Sequence, residues 1–451
     1  MAKQQNQIDP NIVAADPAKG FFVSMLIKDI TLRDAIGDLV DNAVDAIKSR
    51  VNGSTNFKGH EIEIKLGKSF FSITDNGFGM EAQVARTTAF NFGKSDRHQL
   101  IDKSIGQFGI GMKRAFFKLG SNIHVKSVAA TSQFEMTIDV PEWLKEPKVW
   151  EFEFDKGTLQ EKIKNSPSKT GFAVHITNLS FDSKASFSDY TFIDTLQKEI
   201  ELEHMLNINK GLVIKIGTYT LKSTQITLVN DVNIKPTYWK KNEKGQSVKV
   251  LAGISTKDAE DGGWYIFCND RLILAKNKTD ETVWTGSKGD GVPLWHAQYF
   301  RFRGYVFFEA DDSAKLPWNT TKTGMDLDSP YYKEVRSKMI SMTRQVMDLL
   351  DKLKEEKEKD NPEENQNLNK AVDKSLKATV PVIEILANTK TLNNRFHYPA
   401  VLFNPPKKTN SVKVAFQVSN DKYEAVKQEM GVTTPKEVGL NSFNYYYENE
   451  I

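Results

Sequence analysis

Apolar residues near the start of the chain recur with the spacing of an amphipathic helix. From residue 32 to residue 47 they fall at i, i+3, i+4 and i+7, the pattern of one buried helix face; they are Leu32, Ala35, Ile36, Leu39, Val40, Ala43, Val44 and Ile47. Asp38, Asn42 and Asp45 fall on the opposite side at i, i+4 and i+7, so their side chains lie along one line. A solvated polar face is one interpretation. Asn and Asp are poor helix formers, however, and a line of oxygen ligands suits Mg²⁺.

A strand pattern follows this helix. Residues 62–74 predict a hairpin of two strands, and the second strand ends in an acid followed by two glycines. Asp75 can accept a hydrogen bond from an exocyclic amine, and Gly77 and Gly79 let the backbone approach a flat ring. Met80 adds a soft apolar wall. An ordinary turn is the alternative for the acid and first glycine alone.

A third stretch has the glycine pattern GxxGxG at residues 106–111 and is followed by a predicted helix over residues 112–119. Backbone N–H groups and the positive end of a helix would hold phosphates there, and Lys113 adds charge. A glycine pattern alone is weak support, and GxxxxGK[ST] is absent, so this is not a P-loop. Together the three stretches describe a site for a magnesium nucleotide.

The order of the three stretches, between residues 38 and 113, gives the chain a family resemblance. It resembles the superfamily of gyrase B subunits, heat-shock chaperones, histidine kinases and MutL (GHKL), whose ATP site is the Bergerat fold. Residues 92–96 and 105–109 are most similar to the MORC-like branch. The resemblance implies ATP and Mg²⁺ as cofactors. It also implies an α+β fold in which helices cover one face of a mixed sheet.

Roles for individual residues follow from this resemblance. Asp38 takes the place of the general base that orients the attacking water, Asn42 is the Mg²⁺ ligand, and Asp75 is the acceptor for the adenine amine. Residues 81–104 would form the ATP lid, although many surface loops have the same composition. The other implied ATP contacts are Asp45, Ala46, Gly77, Gly79, Met80, Lys94, Ser95, Gly106, Gln107, Phe108, Gly109, Ile110, Gly111 and Lys113.

The chain departs from the family pattern at two positions. The usual base is Glu, and Asp38 is one methylene shorter. A base must come within about 2.6–3.2 Å of its water, so we expect slow hydrolysis. Phe172 replaces the family's Thr at the opening of a strand, and Thr170 and Thr177 are the candidates for the lost polar contact. His175 lies in an apolar alternation and is interpreted as a strand residue.

Further strand-like runs predict a second domain over residues 183–345. By resemblance it is the transducer domain, a ribosomal-S5-like α/β unit. Lys322 matches the family's lysine that reaches the γ-phosphate from this domain, since phosphoryl transfer depends on positioning and charge neutralisation. An exposed loop lysine is the alternative. The runs are 212–216, 263–268, 269–274 and 302–308.

The remaining segments complete the predicted organisation. The ATP-binding domain covers residues 1–182, and its first 30 residues form an arm that either crosses a dimer or straps its own domain. A helix over residues 331–353 carries an apolar stripe, for the core or for a partner helix. A charged helix and linker covers residues 346–369. A small α/β module of unknown role covers residues 370–451, with helices at 370–388 and 421–430 and a strand at 412–416.

Composition limits the classes of protein that the chain can represent. Hydrophobic residues make up 39% and charged residues 26%, as in globular proteins, and no apolar run has the length of a membrane span. The first residues lack the apolar core of a signal peptide. The single cysteine, Cys268, excludes an intramolecular disulfide and a cysteine-built zinc site. We therefore expect a cytoplasmic protein. A net charge of +3 is too small to indicate nucleic-acid binding by itself.

Three functions are compatible with these features. The first is an ATP-driven switch in which two copies close on ATP binding and act on DNA or a DNA-associated partner, in prokaryotic defence or chromosome handling. The second is a nucleotide-sensing module that barely hydrolyses and recruits a protein partner through residues 370–451. The third is a chaperone-like ATPase acting on protein clients.

Overall fold

The computed structural model describes residues 18–51, 55–92, 103–106, 109–243, 245–287, 289–406 and 414–451. Its class is α+β, as the sequence predicts. Most of the predicted arm, and residues 93–102 of the predicted lid, lie outside these residues. Among the described helices, none combines the length and the apolar character needed to cross a membrane.

Within the described residues, eight strands form the first sheet. They are β1 (Glu61–Leu66), β2 (Phe71–Asp75), β3 (Gly120–Val128), β4 (Ser132–Asp139), β5 (Gln160–Glu161), β6 (Gly171–Leu179), β7 (Val213–Ile216) and β8 (Tyr219–Thr220). They pair in the order β5-β4-β3-β6-β2-β1-β7-β8. The pair β1–β7 is parallel and the others are antiparallel. The predicted hairpin is thus confirmed as β1 and β2.

Helices pack against this sheet and supply part of its core. They are α1 (Lys19–Lys28), α2 (Leu32–Val51), α3 (Ala82–Val84), α4 (Gly111–Leu119), α5 (Val140–Lys145), α6 (Phe181–Ser186), α7 (Tyr190–Glu203) and α8 (Met205–Asn209). The predicted apolar stripe of α2 is buried, and α2 packs against both α4 and β2. In β1 the alternate residues Ile62 and Ile64 are buried, as expected for a sheet covered on one face. The predicted helix after the glycine pattern is confirmed as α4.

The position of β7 differs from the prediction. The sequence assigns the run 212–216 to the second domain, but β7 pairs with β1 in the first sheet. Ile214 and Ile216 lie beside Ile62 and Ile64 in the register, so they extend the same buried face. The boundary predicted after residue 182 therefore does not mark the end of the first sheet.

A second sheet contains five strands of the described chain, in the order β10-β11-β14-β12-β13. These strands are β10 (Thr237–Glu243), β11 (Gln246–Ile254), β12 (Gly263–Cys268), β13 (Arg271–Asn277) and β14 (Phe302–Ala310). The long helix α9 (Pro330–Glu356) packs against β11 and β14. Its predicted apolar stripe is buried, so it belongs to the core.

The predicted helix over residues 370–388 is wrong as a single element. Helices α10 (Asn367–Ser375) and α11 (Val382–Ala387) are separated by the strand β15 (Thr379–Pro381). β15 pairs with β9 (Thr227–Val229), which precedes the second sheet. Pro381 explains the interruption, because proline disfavours helix at the residue before it and the preceding Thr379 and Val380 are β-branched.

The end of the chain lacks a core of its own. In residues 414–451, all of which are described, no residue is buried. The predicted helix over residues 421–430 is confirmed as α12 (Asn420–Met430), and a second helix, α13 (Pro435–Glu450), was not predicted. Of the predicted strand at 412–416, residues 414–416 form no strand and the rest lie outside the described residues. Within the predicted module over residues 370–451, residues 414–451 therefore contribute no buried core.

Candidate functional site

A cavity of about 510 Å³ lies where α2, α4, β2 and β6 meet, and the loop before α9 closes part of it. Most of the predicted site residues line this cavity. Lys94, Ser95, Gln107 and Phe108 lie outside the described residues. Those that line it are Asp38, Asn42, Asp45, Ala46, Asp75, Gly79, Met80, Gly106, Gly109, Ile110, Gly111, Lys113 and Lys322.

Asp75 forms one end of the cavity, at the carboxyl end of β2. Its Oδ1 accepts a hydrogen bond of 2.8 Å from the backbone N–H of Gly77, and the backbone of Phe172 also donates to it. Burial raises the pKa of Asp75 to about 7, although these hydrogen bonds oppose the shift. Near neutral pH this carboxyl group therefore exists in both its neutral and its charged form.

The turn after Asp75 has no room for side chains at its glycines. A Cβ at Gly79 would lie 2.2 Å from the Val128 carbonyl oxygen, and the φ of Gly79 is +74°. The backbone N–H of Met80 donates to the hydroxyl of Ser127 at 2.7 Å, which fixes the turn against β3. Gly77 itself is absent from the cavity lining and contributes through its N–H bond to Asp75.

Thr170 lies beside the turn, two residues before Phe172, which replaces the threonine of the family pattern. Its hydroxyl donates to the Gly77 carbonyl oxygen at 2.8 Å, and Arg50 donates to both groups. The other candidate, Thr177, contacts Asn122 instead. The exposed His175 stacks on Phe70, with ring centroids 5.2 Å apart, in keeping with its interpretation as a strand residue.

Asn42 and Asp45 lie on the cavity side of α2, one turn apart. The Asp45 carboxylate accepts backbone hydrogen bonds from Ile105 and Gly106, each at 2.8 Å, so it holds the start of the glycine loop. Burial raises the pKa of Asp45. The Nδ2 atom of Asn42 is buried and has no hydrogen-bond partner among the described residues. Of this pair, the Asn42 amide is therefore the group left open toward the cavity.

Lys113 has a different environment from the one its sequence context suggests. Its ammonium donates to the carbonyl oxygens of Ala89, at 2.8 Å, and Gly109. Burial lowers the pKa of Lys113 to about 8. In this structure the side chain ties together the two chain segments that flank residues 93–102, and its contact with phosphate stays a prediction.

Asp38 lies at the opposite end of the cavity from Asp75 and contacts two cations. Its Oδ1 accepts from the Lys322 ammonium at 3.1 Å, and its Oδ2 accepts from the Arg114 guanidinium at 2.7 Å. All three side chains are nearly buried. Lys322 thus reaches from the loop before α9 into the cavity, and its contact with the γ-phosphate stays a prediction.

Asp41, which sequence analysis did not single out, is the most enclosed charge of the site. Its Oδ2 lies 2.6 Å from the Lys322 ammonium, its Oδ1 lies 2.8 Å from Nε of Arg271, and the ring of His204 is 3.3 Å away. Burial alone would raise the pKa of Asp41, but Arg271 and Lys322 hold it well below its usual range. Asp41 shares the polar side of α2 with Asp38, and nothing in the sequence indicates that the second sheet covers it.

The second sheet also holds the glycine loop. Asn269, in the tight turn between β12 and β13, donates from Nδ2 to the Ser104 carbonyl oxygen at 2.9 Å. Ser313 donates to the Gly106 carbonyl oxygen at 3.1 Å, and Lys48 of α2 donates to the Asn269 carbonyl oxygen at 2.8 Å. The second sheet therefore contacts α2 and the loop beside Asp45 together.

Comparison with protein families gives this arrangement a name. Residues 30–170 match the family described as histidine kinase-, DNA gyrase B- and HSP90-like ATPases. This span contains α2, the β1–β2 hairpin, the glycine loop and α4. The domain belongs to the GHKL ATPase superfamily.

A curated relative extends the similarity beyond the GHKL domain. The DNA mismatch repair protein MutL of Aquifex pyrophilus is 22% identical over 267 residues, which cover 57% of this chain and 59% of that protein. The chain thus spans less than two thirds of the length of this relative. Membership of the MORC-like branch stays a prediction.

Proposed function

We propose that this chain is a magnesium-dependent ATPase in which the GHKL domain binds the nucleotide and the second sheet responds to its γ-phosphate. The observation that carries the proposal is the position of Lys322. This lysine comes from the loop before α9, and its ammonium contacts Asp38 and Asp41 of the GHKL domain inside the cavity. A nucleotide placed there would have its phosphates between residues of both parts of the molecule.

The donor set fits a magnesium nucleotide. Mg²⁺ is usually held by one or two protein groups, with waters and phosphate oxygens supplying the rest. The described residues contain no group of three or more His, Cys, Asp or Glu side chains that could hold a metal ion alone. Asn42 lines the cavity and would hold the ion through its side-chain oxygen, together with the nucleotide. The bound ion would neutralise charge on the phosphates.

We propose the following steps of hydrolysis for these side chains. Asp38 accepts a proton from water as the water oxygen attacks the γ-phosphorus, and the bond from that phosphorus to the bridging oxygen breaks, which gives ADP and phosphate. Lys322 neutralises charge on the γ-phosphate oxygens. Asp38 is short for this task and its oxygens contact cations, so we expect slow turnover.

The same contacts would also connect ATP binding to a change in conformation. Lys322 must exchange a carboxylate for the γ-phosphate, and Ser313 and Asn269 connect its part of the molecule to the glycine loop. ATP binding would therefore change the contact between the two sheets. We propose that this change accompanies closure of two copies of the chain.

DNA or a DNA-associated partner is the proposed target. The MutL relative is named as a DNA mismatch repair protein, and the resemblance of residues 92–96 and 105–109 to the MORC-like branch favours a role in defence or chromosome handling. Stimulation of phosphate release by duplex DNA would support this target. Stimulation by an unfolded polypeptide in place of DNA would contradict it.

A nucleotide-sensing module with little hydrolysis is the second candidate. The observation in its favour is that cations already contact both oxygens of Asp38, the proposed base. Such a protein would bind ATP tightly without releasing phosphate and would recruit a partner protein through residues 370–451.

The decisive experiment compares the wild type with Asp38→Asn. We expect the variant to bind a fluorescent ATP analogue and to lose about 10²–10⁴-fold in phosphate release, the usual contribution of a general base. Asp34→Asn is the control, because Asp34 lies on the same helix, outside the cavity lining, and its carboxylate accepts from the Thr31 hydroxyl. Equal turnover by Asp38→Asn would contradict the assignment of the base. Tight ATP binding with no turnover by the wild type would favour the second candidate.

A further inference from the structure

Arg114 is a cation of the cavity that the proposed mechanism has not yet used. It lies in the second turn of α4, directly after the glycine loop, and it lines the cavity. Its Nε and Nη2 atoms each lie 2.7 Å from the same oxygen of Asp38, Oδ2. Its side chain is 11% exposed, so this ion pair is largely removed from water.

The charges around this ion pair do not balance. Among the described residues in contact with Asp38 and Asp41, there are three cationic side chains, Arg114, Lys322 and Arg271, for two carboxylates. The next acid, Glu203, lies 3.1 Å from Arg271, and burial raises its pKa to about 7. Asp38, the carboxylate that lines the cavity, therefore faces two cations, Arg114 and Lys322, and this arrangement favours an anionic ligand beside them.

Arg114 is the cation that can leave its carboxylate most easily. Lys322 is shared between Asp38 and Asp41, and Arg271 is shared between Asp41 and Glu203. For Arg114, the structure records Asp38 as the acidic partner within the described residues. Its side chain is also more exposed than those of Lys322 and Arg271, each of which is 6% exposed.

We infer that Arg114 is a catalytic arginine supplied by the GHKL domain itself. When ATP binds, its guanidinium leaves Asp38 and donates to oxygens of the γ-phosphate. A planar guanidinium can form two parallel hydrogen bonds to phosphate as it does to carboxylate, so the exchange replaces one oxyanion by another. This inference rests on the proposed ATPase function.

The exchange has a second effect, on the base. In the structure Oδ2 of Asp38 accepts from Arg114, so a water proton would have to compete with a guanidinium for this oxygen. Departure of Arg114 to the γ-phosphate frees this oxygen while Lys322 still neutralises the other one. Asp38 would thus become available as a base only when the bound nucleotide carries a γ-phosphate. ADP, which lacks the γ-phosphate, would leave Arg114 on Asp38.

The test is the preference for ATP over ADP in Arg114→Gln. We expect the variant to lose most of the wild-type preference for ATP while its affinity for ADP stays unchanged. Its kcat should fall by about 10²-fold, the usual effect of removing one donor that stabilises developing charge. Arg114→Lys should recover part of both quantities, because lysine keeps the charge but not the forked geometry.

A structural role for Arg114 would give a different result. Arg114→Gln leaves Asp38 paired with Lys322, so the substitution strands no buried charge, and thermal unfolding would show whether the fold persists. Arg33→Gln is the matched control, because Arg33 on α2 pairs with Glu199 at 2.7 Å on the surface. If Arg114→Gln does not fold, Arg114→Lys decides, by the same two measurements.

Two results would overturn the inference while leaving the proposed function intact. One is an Arg114→Gln variant with wild-type kcat and a wild-type preference for ATP. The other is a faster variant, since that would make Arg114 a restraint on Asp38 without a role at the phosphate. A wild-type protein that neither binds nor hydrolyses ATP would instead contradict the proposed function.

Discussion

The two ends of the cavity are built by different means. The end around Asp75 comes from the GHKL domain, with its backbone N–H groups, closely packed glycines and the Thr170 hydroxyl. The end around Asp38 joins two parts of the chain, because Lys322 and Arg271 reach Asp38 and Asp41 from beyond the first sheet. The first end is therefore formed independently of the second sheet, and the other end depends on it.

This difference assigns separate tasks to the two ends. Hydrogen bonds within one domain fix a shape, and each contributes about 0.5–1.5 kcal/mol. Buried ion pairs between two parts of a molecule are costly to break, and removing one partner destabilises by about 3–5 kcal/mol. In the proposed function the Asp75 end would select the purine, and the Asp38 end would report the γ-phosphate to the second sheet.

Among the substitutions that test the difference between the two ends, Lys322→Gln should have the largest effect, and this effect should be on kcat. It leaves Asp38 with Arg114 and Asp41 with Arg271, but it removes the contact that joins the two carboxylates. We expect kcat to fall by about 10²–10³-fold, with a small change in ADP affinity. Phosphate release and ADP titration measure the two quantities. The exposed Lys315, in the same loop, provides the control Lys315→Gln. Equal losses of ADP affinity and kcat would show that the two ends are not independent.

Asp75→Asn should have an intermediate effect, and it should act on ATP and ADP alike. A hydrogen bond to a charged acceptor contributes about 1.5–3 kcal/mol, which is about 10–100-fold in affinity. Since burial raises the pKa of Asp75 to about 7, wild-type affinity should increase as the pH rises through this value and the acceptor ionises. The affinity of Asp75→Asn should lack this increase. A pH dependence that persists in the variant would contradict the role of Asp75.

The free energy of unfolding offers a second measurement on Asp75. Its folded pKa of about 7 is higher than its ordinary value of 3.8, so the folded state binds this proton more tightly than the unfolded state. The stabilising contribution is complete below the ordinary value and is lost as the pH rises toward 7. Denaturation of the wild type and of Asp75→Asn between these limits should therefore show a steeper fall for the wild type.

Thr170→Val should have the smallest effect. It removes one donor to the Gly77 carbonyl oxygen, which keeps its 3.1 Å hydrogen bond from Arg50. We expect affinity for both nucleotides to fall by about 1 kcal/mol or less, since one neutral hydrogen bond is lost. Thr177→Val is the control, because Thr177 lies away from the turn. If the two variants lost equal nucleotide affinity, Thr170 would have no specific role in nucleotide binding.

The sequence predicted those parts of the site that depend on the residue pattern of one short segment. The periodicity of α2 and the alternation of the β1–β2 hairpin are properties of short segments, and both are confirmed. The ion pair between Asp41 and Arg271 joins two residues that are far apart in the chain, so no short-range pattern predicts it. The carbonyl oxygen of Ala89 beside Lys113 is a similar case.

The errors in the fold have the same origin. Residues 370–388 have helical composition, but pairing of Val380 with Leu228 favours a strand at that point. Strand β7 has an ordinary apolar alternation, which reveals a strand but not the sheet that it joins. Pro381 is the residue from which a break in the helix predicted over residues 370–388 could have been predicted.

Strand β7 has a practical consequence for work on the isolated ATPase domain. A fragment that stops near residue 182 would expose the N–H and C=O groups of β1 along the side that β7 now covers. It would also uncover apolar side chains such as Ile62 and Ile64. An unprotected edge of this kind is prone to pair with other chains and aggregate. A fragment intended for solution work should therefore continue beyond residue 220, the last residue of β8.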